Sequence, residues 1–227
     1  GMSRSVAIVL GAGMAGRAVA RELGKDHLVI VVDRDAALAA RAAEPVAGES
    51  AVVDLIDIVD VERFCGDVLA RHGRIDAVVH LVGGWKGSTT VDVGALDAWK
   101  AIAPGVFGTV RTTTVAFRDA LMASGGSYLI VSSTAAAKPT AGNVAYATAK
   151  SAAETWVGGL AHSFRESQAR AVIVSVKALV DQDMREAQPD QAFPGYTDTS
   201  DLARTIGGVL AGDGANGDHV YPAGVNR

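Results

Sequence analysis

Near the start of the chain, five apolar residues, Val6-Ala7-Ile8-Val9-Leu10, stop at Gly11-Ala12-Gly13-Met14-Ala15-Gly16. A short, largely β-branched run bounded by glycine reads as a strand buried on both faces. The residues from Gly16 to Leu23 then read as a helix. The three glycines therefore occupy a strand-to-helix turn, spaced Gly-x-Gly-x-x-Gly, which is the context that gives this spacing meaning. Gly11 permits the tight turn, Gly13 lets backbone approach a pyrophosphate, and Gly16 allows helix and strand to pack closely. The helix N-terminus, with Met14 and Ala15, supplies free N–H groups and positive partial charge for phosphates. The competing reading is a glycine-rich turn that binds nothing.

The same alternation continues. Strands are expected at Leu28–Val32, Ser50–Val53, Ala77–Val82, Ser127–Ser132, Ala171–Val176 and near His219–Tyr221. Between them lie expected helices at Ala36–Ala43, Val61–His72, Leu96–Met122 (bent or broken at Pro104-Gly105), Tyr146–Glu166 and Leu202–Leu210. Strands that are almost wholly apolar and alternate with helices mean a parallel sheet covered on both faces. The expected fold is α/β: one doubly wound, Rossmann-type parallel sheet across all 227 residues, with no linker or repeat. Residues 181–201, with Gln188-Pro189 and Phe193-Pro194-Gly195, read as an irregular stretch, either a substrate lid or a disordered loop. Gly1-Met2 reads as a tag scar, and no secretory h-region follows it.

Composition narrows the partners. A net charge of −4 without basic runs argues against a nucleic-acid partner, because counterion displacement needs clustered lysines and arginines. The apolar fraction of 49% excludes a disordered chain, and no apolar run reaches membrane-spanning length. The single cysteine, Cys65, cannot form an internal disulfide and fits a reducing, cytoplasmic compartment; within its helical pattern it reads as a small core residue. No His/Asp/Glu cluster has metal-ligand spacing, so no metal is expected, and His80 and His162 read as packing or surface residues.

Two further groups of residues carry chemistry. Asp33 ends the second strand, where a carboxylate can accept hydrogen bonds from both adenosine ribose hydroxyls and repel a 2′-phosphate, which favours NAD(H). Arg34 beside it could pair with that phosphate, which leaves NADP(H) as the alternative; the blander role for Asp33 is a turn residue at the strand end. Tyr146 and Lys150 stand at i and i+4 and share a helix face. A phenol titrates near ~10, and a neighbouring ammonium lowers that value by stabilising the phenolate. Ser133, just past a strand, can donate a hydrogen bond to a carbonyl at the sheet's C-terminal edge. By chance alone, Tyr-x-x-x-Lys is a common helical pattern.

In order and spacing, the glycine loop, Asp33, Asp54-Leu55, Gly83, Ser133, Tyr146 and Lys150 resemble the short-chain dehydrogenase/reductase family over nearly the whole chain. The resemblance implies an NAD(P)-dependent oxidoreductase. Tyr146 would be the proton donor or acceptor, Lys150 would hold the nicotinamide ribose and tune the tyrosine, and Ser133 would orient the substrate. Asp54 and Leu55 would flank the adenine, and Gly83, Gly84 and Leu179 would complete the cofactor-binding set.

The chain also departs from that family. Its glycine loop has the older Rossmann spacing, His80-Leu81-Val82-Gly83-Gly84-Trp85 stands where Asn-Asn-Ala-Gly is common, and no asparagine occurs within Ala101–Thr109. Lys177-Ala178 replaces the usual Pro-Gly after the sixth strand. Gly-Gly-Trp and the missing asparagine resemble the dihydropteridine reductase subgroup, although Ser133 stands where that subgroup often has a small residue without a hydroxyl. Trp85 either stacks on a planar substrate or closes the core. The expected function is reduction of a small cyclic substrate, with quinonoid dihydropteridine the named candidate. A ketone/alcohol oxidoreductase and a non-catalytic dinucleotide sensor are the alternatives. A homodimer or homotetramer is expected, with Ala152, Trp156, Gly159 and Leu160 either forming its face or packing on the sheet.

Overall fold

The computed structural model describes residues 4–227. In chain order its elements begin β1 (Val6–Leu10), α1 (Met14–Leu23), β2 (Leu28–Val32), α2 (Ala36–Ala43), β3 (Glu49–Ala51) and α3 (Ile58–His72). They continue with β4 (Ala77–His80), α4 (Val93–Ala103), α5 (Thr109–Ser124), β5 (Ser127–Ser133), α6 (Val144–Ser163) and β6 (Arg170–Val176). The last part holds β7 (Leu179–Val180), α7 (Gln182–Ala187), β8 (Thr197–Asp198), α8 (Thr199–Gly208) and β9 (His219–Val220).

Seven strands form one sheet in the order β3-β2-β1-β4-β5-β6-β9, and every pair is parallel. The chain runs outward from β1 to β3, then crosses back to place β4 on the other side of β1. The C-terminal ends of β1 and β4 therefore flank the crevice where open α/β sheets bind ligands.

Side-chain alternation divides the core between the two sheet faces. Ile8, Leu10, Ile30, Val78 and Ile130 pack against α3, α5 and α6 through Phe64, Phe117 and Val157. Ala7, Val9, Val29, Val79, Leu129 and Val174 pack against α1, α2 and α8 through Val19, Ala39 and Ile206. Burial of each Val, Leu, Ile or Phe side chain contributes about 1.5–3 kcal/mol before conformational entropy is charged against it. Cys65 lies in the first of these cores, where burial pushes its thiol up to about 11.

The doubly wound sheet is the expected one, with shifts at element ends. β4 stops at His80 rather than Val82, because Leu81 leaves its own ladder, although its N–H still reaches the Leu10 carbonyl at 2.8 Å. The third strand covers Glu49–Ala51 rather than Ser50–Val53, and Val53 is buried just beyond it. Asp57 caps α3 by accepting from the Val59 N–H, so that helix starts at Ile58 rather than Val61. The expected break at Pro104-Gly105 is a π-helical segment, Pro104–Gly108, between α4 and α5. The larger correction concerns residues 181–201, which contain α7, β8 and the start of α8 instead of an irregular stretch. Asp181 caps α7 through the Met184 N–H, β7 pairs with β8, and Arg185 bridges to Asp198. No helix among the described residues is long and apolar enough to cross a membrane.

Candidate active site

The glycine loop follows β1 at the crevice. Gly11 has φ +106°, a conformation that side chains rarely adopt, and its N–H donates to the Val32 carbonyl at 2.8 Å. A Cβ on Gly16 would lie 1.9 Å from the Gly11 carbonyl oxygen, so only glycine fits beneath the turn. A Cβ on Gly13 would meet nothing within 4 Å. Gly13 is the N-cap of α1, and no side chain accepts from the first-turn amides that include Met14 and Ala15. Gly11 and Gly16 thus build the turn, while Gly13 leaves open space before uncapped N–H groups. That cradle fits a dinucleotide pyrophosphate.

Asp33 does more than end a strand. Its carboxylate accepts from the Ala12 N–H at 2.9 Å and the Asp35 N–H at 2.8 Å, tying β2 to the glycine loop. Each oxygen retains a lone pair for a further donor. Arg34 next to it is exposed. Asp54 is also exposed, and its backbone N–H donates to Asp60 at 2.8 Å. The Leu55 side chain packs into the core, while its carbonyl accepts from Thr112.

Gly83 and Gly84 are exposed beyond β4, Gly84 with φ +155°. The π segment backs this pair: a Cβ on Gly105 would lie 3.8 Å from the Gly83 carbonyl oxygen. Leu179 is half-buried at the start of β7. Trp85 is 66% exposed, with its indole against Gly87, so it does not close the core.

Ser133 ends β5, and Tyr146 and Lys150 occupy the first two turns of α6. The Lys150 ammonium lies 5.7 Å from the centre of the Tyr146 ring and donates to the Val131 carbonyl at 3.3 Å. The Ser133 hydroxyl accepts from the Ala135 N–H at 3.1 Å. Burial pushes the Tyr146 phenol up, and a hydrogen bond with Ser133 pulls it back. Burial lowers Lys150 to about 8, opposed by the Glu154 carboxylate. The phenol is therefore raised rather than lowered as expected, because desolvation of the hydroxyl outweighs its hydrogen bond with Ser133.

Two further clusters surround Lys150. His80 is buried, its Nε2 2.6 Å from the Thr109 hydroxyl, which donates to the Gly105 carbonyl at 2.6 Å. Burial, and then the Lys150 cation, hold His80 down at about 3, so it is a neutral packing residue near neutral pH. His162 is exposed. Glu154, one turn after Lys150, accepts from the Ser132 hydroxyl at 2.9 Å and lies 3.7 Å from Nδ1 of His219. His219 Nε2 is 2.6 Å from the Ser175 hydroxyl. The i+4 spacing of Glu154 from Lys150 was the available sequence signal; His219 approaches only through the pairing of β9 with β6.

A family model described as short chain dehydrogenase matches residues 5–192. Over 111 residues the chain is 33% identical to an uncharacterized NAD-dependent oxidoreductase of Mycobacterium tuberculosis (strain ATCC 25618 / H37Rv). That match covers 44% of this chain and 37% of the relative, so the chain spans well under half of the relative's length. Among solved structures, a metagenomic short-chain oxidoreductase in complex with NADP superposes with a TM-score of 0.79 at 24% identity, covering 97% of this chain and 98% of the other. A gluconate 5-dehydrogenase from Burkholderia cenocepacia J2315, in complex with NADP and tartrate, gives 0.84 at 20% identity, covering 98% and 95%.

Proposed function

The chain belongs to the short-chain dehydrogenase family, and from that premise we propose that it is an NAD(P)H-dependent reductase of a small substrate with Tyr146 as proton donor. The observation that carries this reading is the meeting of Ser133, Tyr146 and buried Lys150 at the C-terminal edge of β5, on the sheet that also presents the open Gly13 cradle. When bound, the nicotinamide supplies the hydride chemistry.

The residues of the chain divide the remaining work. The loop from Gly11 to Gly16 receives the pyrophosphate on the α1 amides, with Asp33 presenting its remaining lone pairs to the adenosine ribose and its charge favouring NAD(H) over NADP(H). Exposed Asp54 and the Leu55 backbone flank the adenine, and Gly83, Gly84 and Leu179 border the cofactor. Ser133 holds the substrate's heteroatom, Tyr146 gives it a proton as the adjacent carbon is reduced, and Lys150 positions the nicotinamide ribose while favouring the phenolate. The raised phenol suits this direction, since a protonated Tyr146 is the form that donates.

Two substrate classes follow from particular residues. Exposed Trp85 beside the glycine pair suits a planar ring such as a quinonoid dihydropteridine. The Ser133 hydroxyl suits a carbonyl. NADH and NADPH oxidation across pterins, quinones and ketones tests the reading. Tyr146→Phe is expected to retain NADH binding and to lose roughly 10²–10⁴-fold in kcat. Unchanged turnover would remove Tyr146 as the donor, and NADH binding without turnover of any compound would favour a sensor.

A second copy of this chain is proposed to cover α5 and α6. The four residues expected there, Ala152, Trp156, Gly159 and Leu160, all line an open groove of about 780 Å³ with Phe107 and Val115, Leu160 at its floor where it also packs into the core. Trp156 is held there by its Nε1–H, 2.7 Å from the Thr114 hydroxyl, with Phe107 edge-on at 6.2 Å.

A further inference from the structure

Lys177-Ala178 was a departure from the family pattern without a role in the cofactor site. Ser133 pairs with Val176 in the register of β5 and β6, so Thr134 and Lys177 lie side by side, one residue beyond the strand ends. Neighbouring strands are about 4.8 Å apart, which keeps Lys177 at the edge that carries Ser133. Lys138 follows the short helical turn Thr134–Ala137, on the segment that joins Ser133 to α6.

Thr134, Lys138, Lys177 and Asn226 line one open cavity of about 390 Å³, bordered by the Pro194-Gly195 turn. Its lining contains two ammonium groups and no carboxylate. Neither lysine enters an ion pair within 4.0 Å among the described residues. The turn holds Lys177 in place: its Nζ reaches the Pro194 carbonyl at 3.4 Å, and a Cβ on Gly195 would lie 3.2 Å from that nitrogen. An ammonium has three donors, so Lys177 keeps two for a ligand. Lys138 uses only its backbone in the hydrogen bonds it makes, and Thr134 and Asn226 add a hydroxyl and an amide donor.

We propose that this cavity is an anion subsite for the substrate, with Lys138 and Lys177 binding a carboxylate carried by the molecule whose carbonyl Ser133 and Tyr146 hold. The inference rests on the carbonyl branch of the reductase reading. A carboxylate takes charge-assisted hydrogen bonds from both ammonium groups, which an uncharged ring does not. The substrate class is then a small oxo acid.

Four compounds test it: acetoacetate and 4-oxopentanoate, each beside its methyl ester. Binding to the NADH-loaded protein is measured by calorimetric titration, and NADH oxidation is followed with the same compounds and with quinonoid 6-methyldihydropterin. Each acid is expected to exceed its ester by about tenfold or more in affinity and in kcat/KM, the range for hydrogen bonds to a charged group. Lys177→Met and Lys138→Met should each bring the acid towards its ester, chiefly through KM, and Lys177→Arg should retain the preference. The proposal is overturned if neither acid gives binding heat, if ester and acid bind alike, or if the preference survives in the double Met variant. Faster turnover of the uncharged pterin than of either acid also overturns it. Binding of the acids without turnover of any compound would refute the reductase reading and leave the subsite standing.

Discussion

Gly13→Ala and Gly16→Ala separate the two tasks of the glycine loop, because the same added methyl group meets opposite surroundings. At Gly16 the new Cβ would sit 1.9 Å from the Gly11 carbonyl oxygen and 2.9 Å from its carbon. Both obstacles are backbone, so α1 must move away from β1 by more than an ångström. Overpacking of this kind costs about 1–3 kcal/mol, and a backbone obstacle places it at the upper end. Alanine's better helix propensity returns about 1 kcal/mol, leaving a net loss of roughly 2 kcal/mol. For a domain of this size that lowers Tm by about 4–8 °C. At Gly13 the Cβ meets nothing, and φ −72° suits any residue, so the cost is the poorer N-cap alone, about 0.5 kcal/mol. The same methyl group occupies the space before the α1 amides. Loss of one hydrogen bond to a charged phosphate is worth about 1.5–3 kcal/mol, or roughly ten- to hundredfold in Kd. Thermal unfolding and NADH fluorescence titration on both variants measure the two effects. The reasoning fails if Gly13→Ala binds NADH like the parent protein, or if Gly16→Ala melts no lower than Gly13→Ala.

Lys150 gives a pH signature. Its value near 8 lies below the ordinary 10.5, so the unfolded chain binds more protons between those values and stability rises with pH across that window. Below about pH 8 the cost of burying the cation is fully present, so Lys150→Met is expected to be more stable than the parent at pH 7 and to lose that advantage by pH 10.5. Parallel melts that keep a constant gap from pH 7 to 10.5 would contradict this. The proposed dimer is tested by Trp156→Glu, which places a carboxylate in the groove; light scattering should read a dimer for the parent and a monomer for the variant, and a parent that is itself monomeric refutes the interface.

Much of this protein is legible locally. β1 and β2 are continuous apolar runs and β5 and β6 each contain one of four residues, and such runs have only one stable use in a chain that alternates them with helices. The glycine loop is equally local, since Gly11 and Gly16 are required by backbone sterics within six residues of one another. Tyr146 and Lys150 share a face by helical periodicity alone. Short elements escaped this logic: β7 and β8 have two residues each, too few for any period to appear, and they exist because the Thr197 N–H reaches the Ala178 carbonyl at 2.8 Å.

Charge and solvation were decided in three dimensions. The direction in which Tyr146 shifts depends on how much water its hydroxyl loses against its hydrogen bond with Ser133, and a sequence reports neither quantity. Asp33 was readable as a carboxylate at a strand end, but its bond to the Ala12 N–H needs β2 to lie beside β1. Trp85 had two readings until its exposure removed one of them. Sequence alone thus determined most strands and helices, the glycine turn after β1 and the shared face of Tyr146 and Lys150, because each rests on patterns only a few residues long. The tertiary structure decided their protonation and the cavity that joins Lys138 to Lys177, because burial and long-range proximity follow from the order in which strands pack.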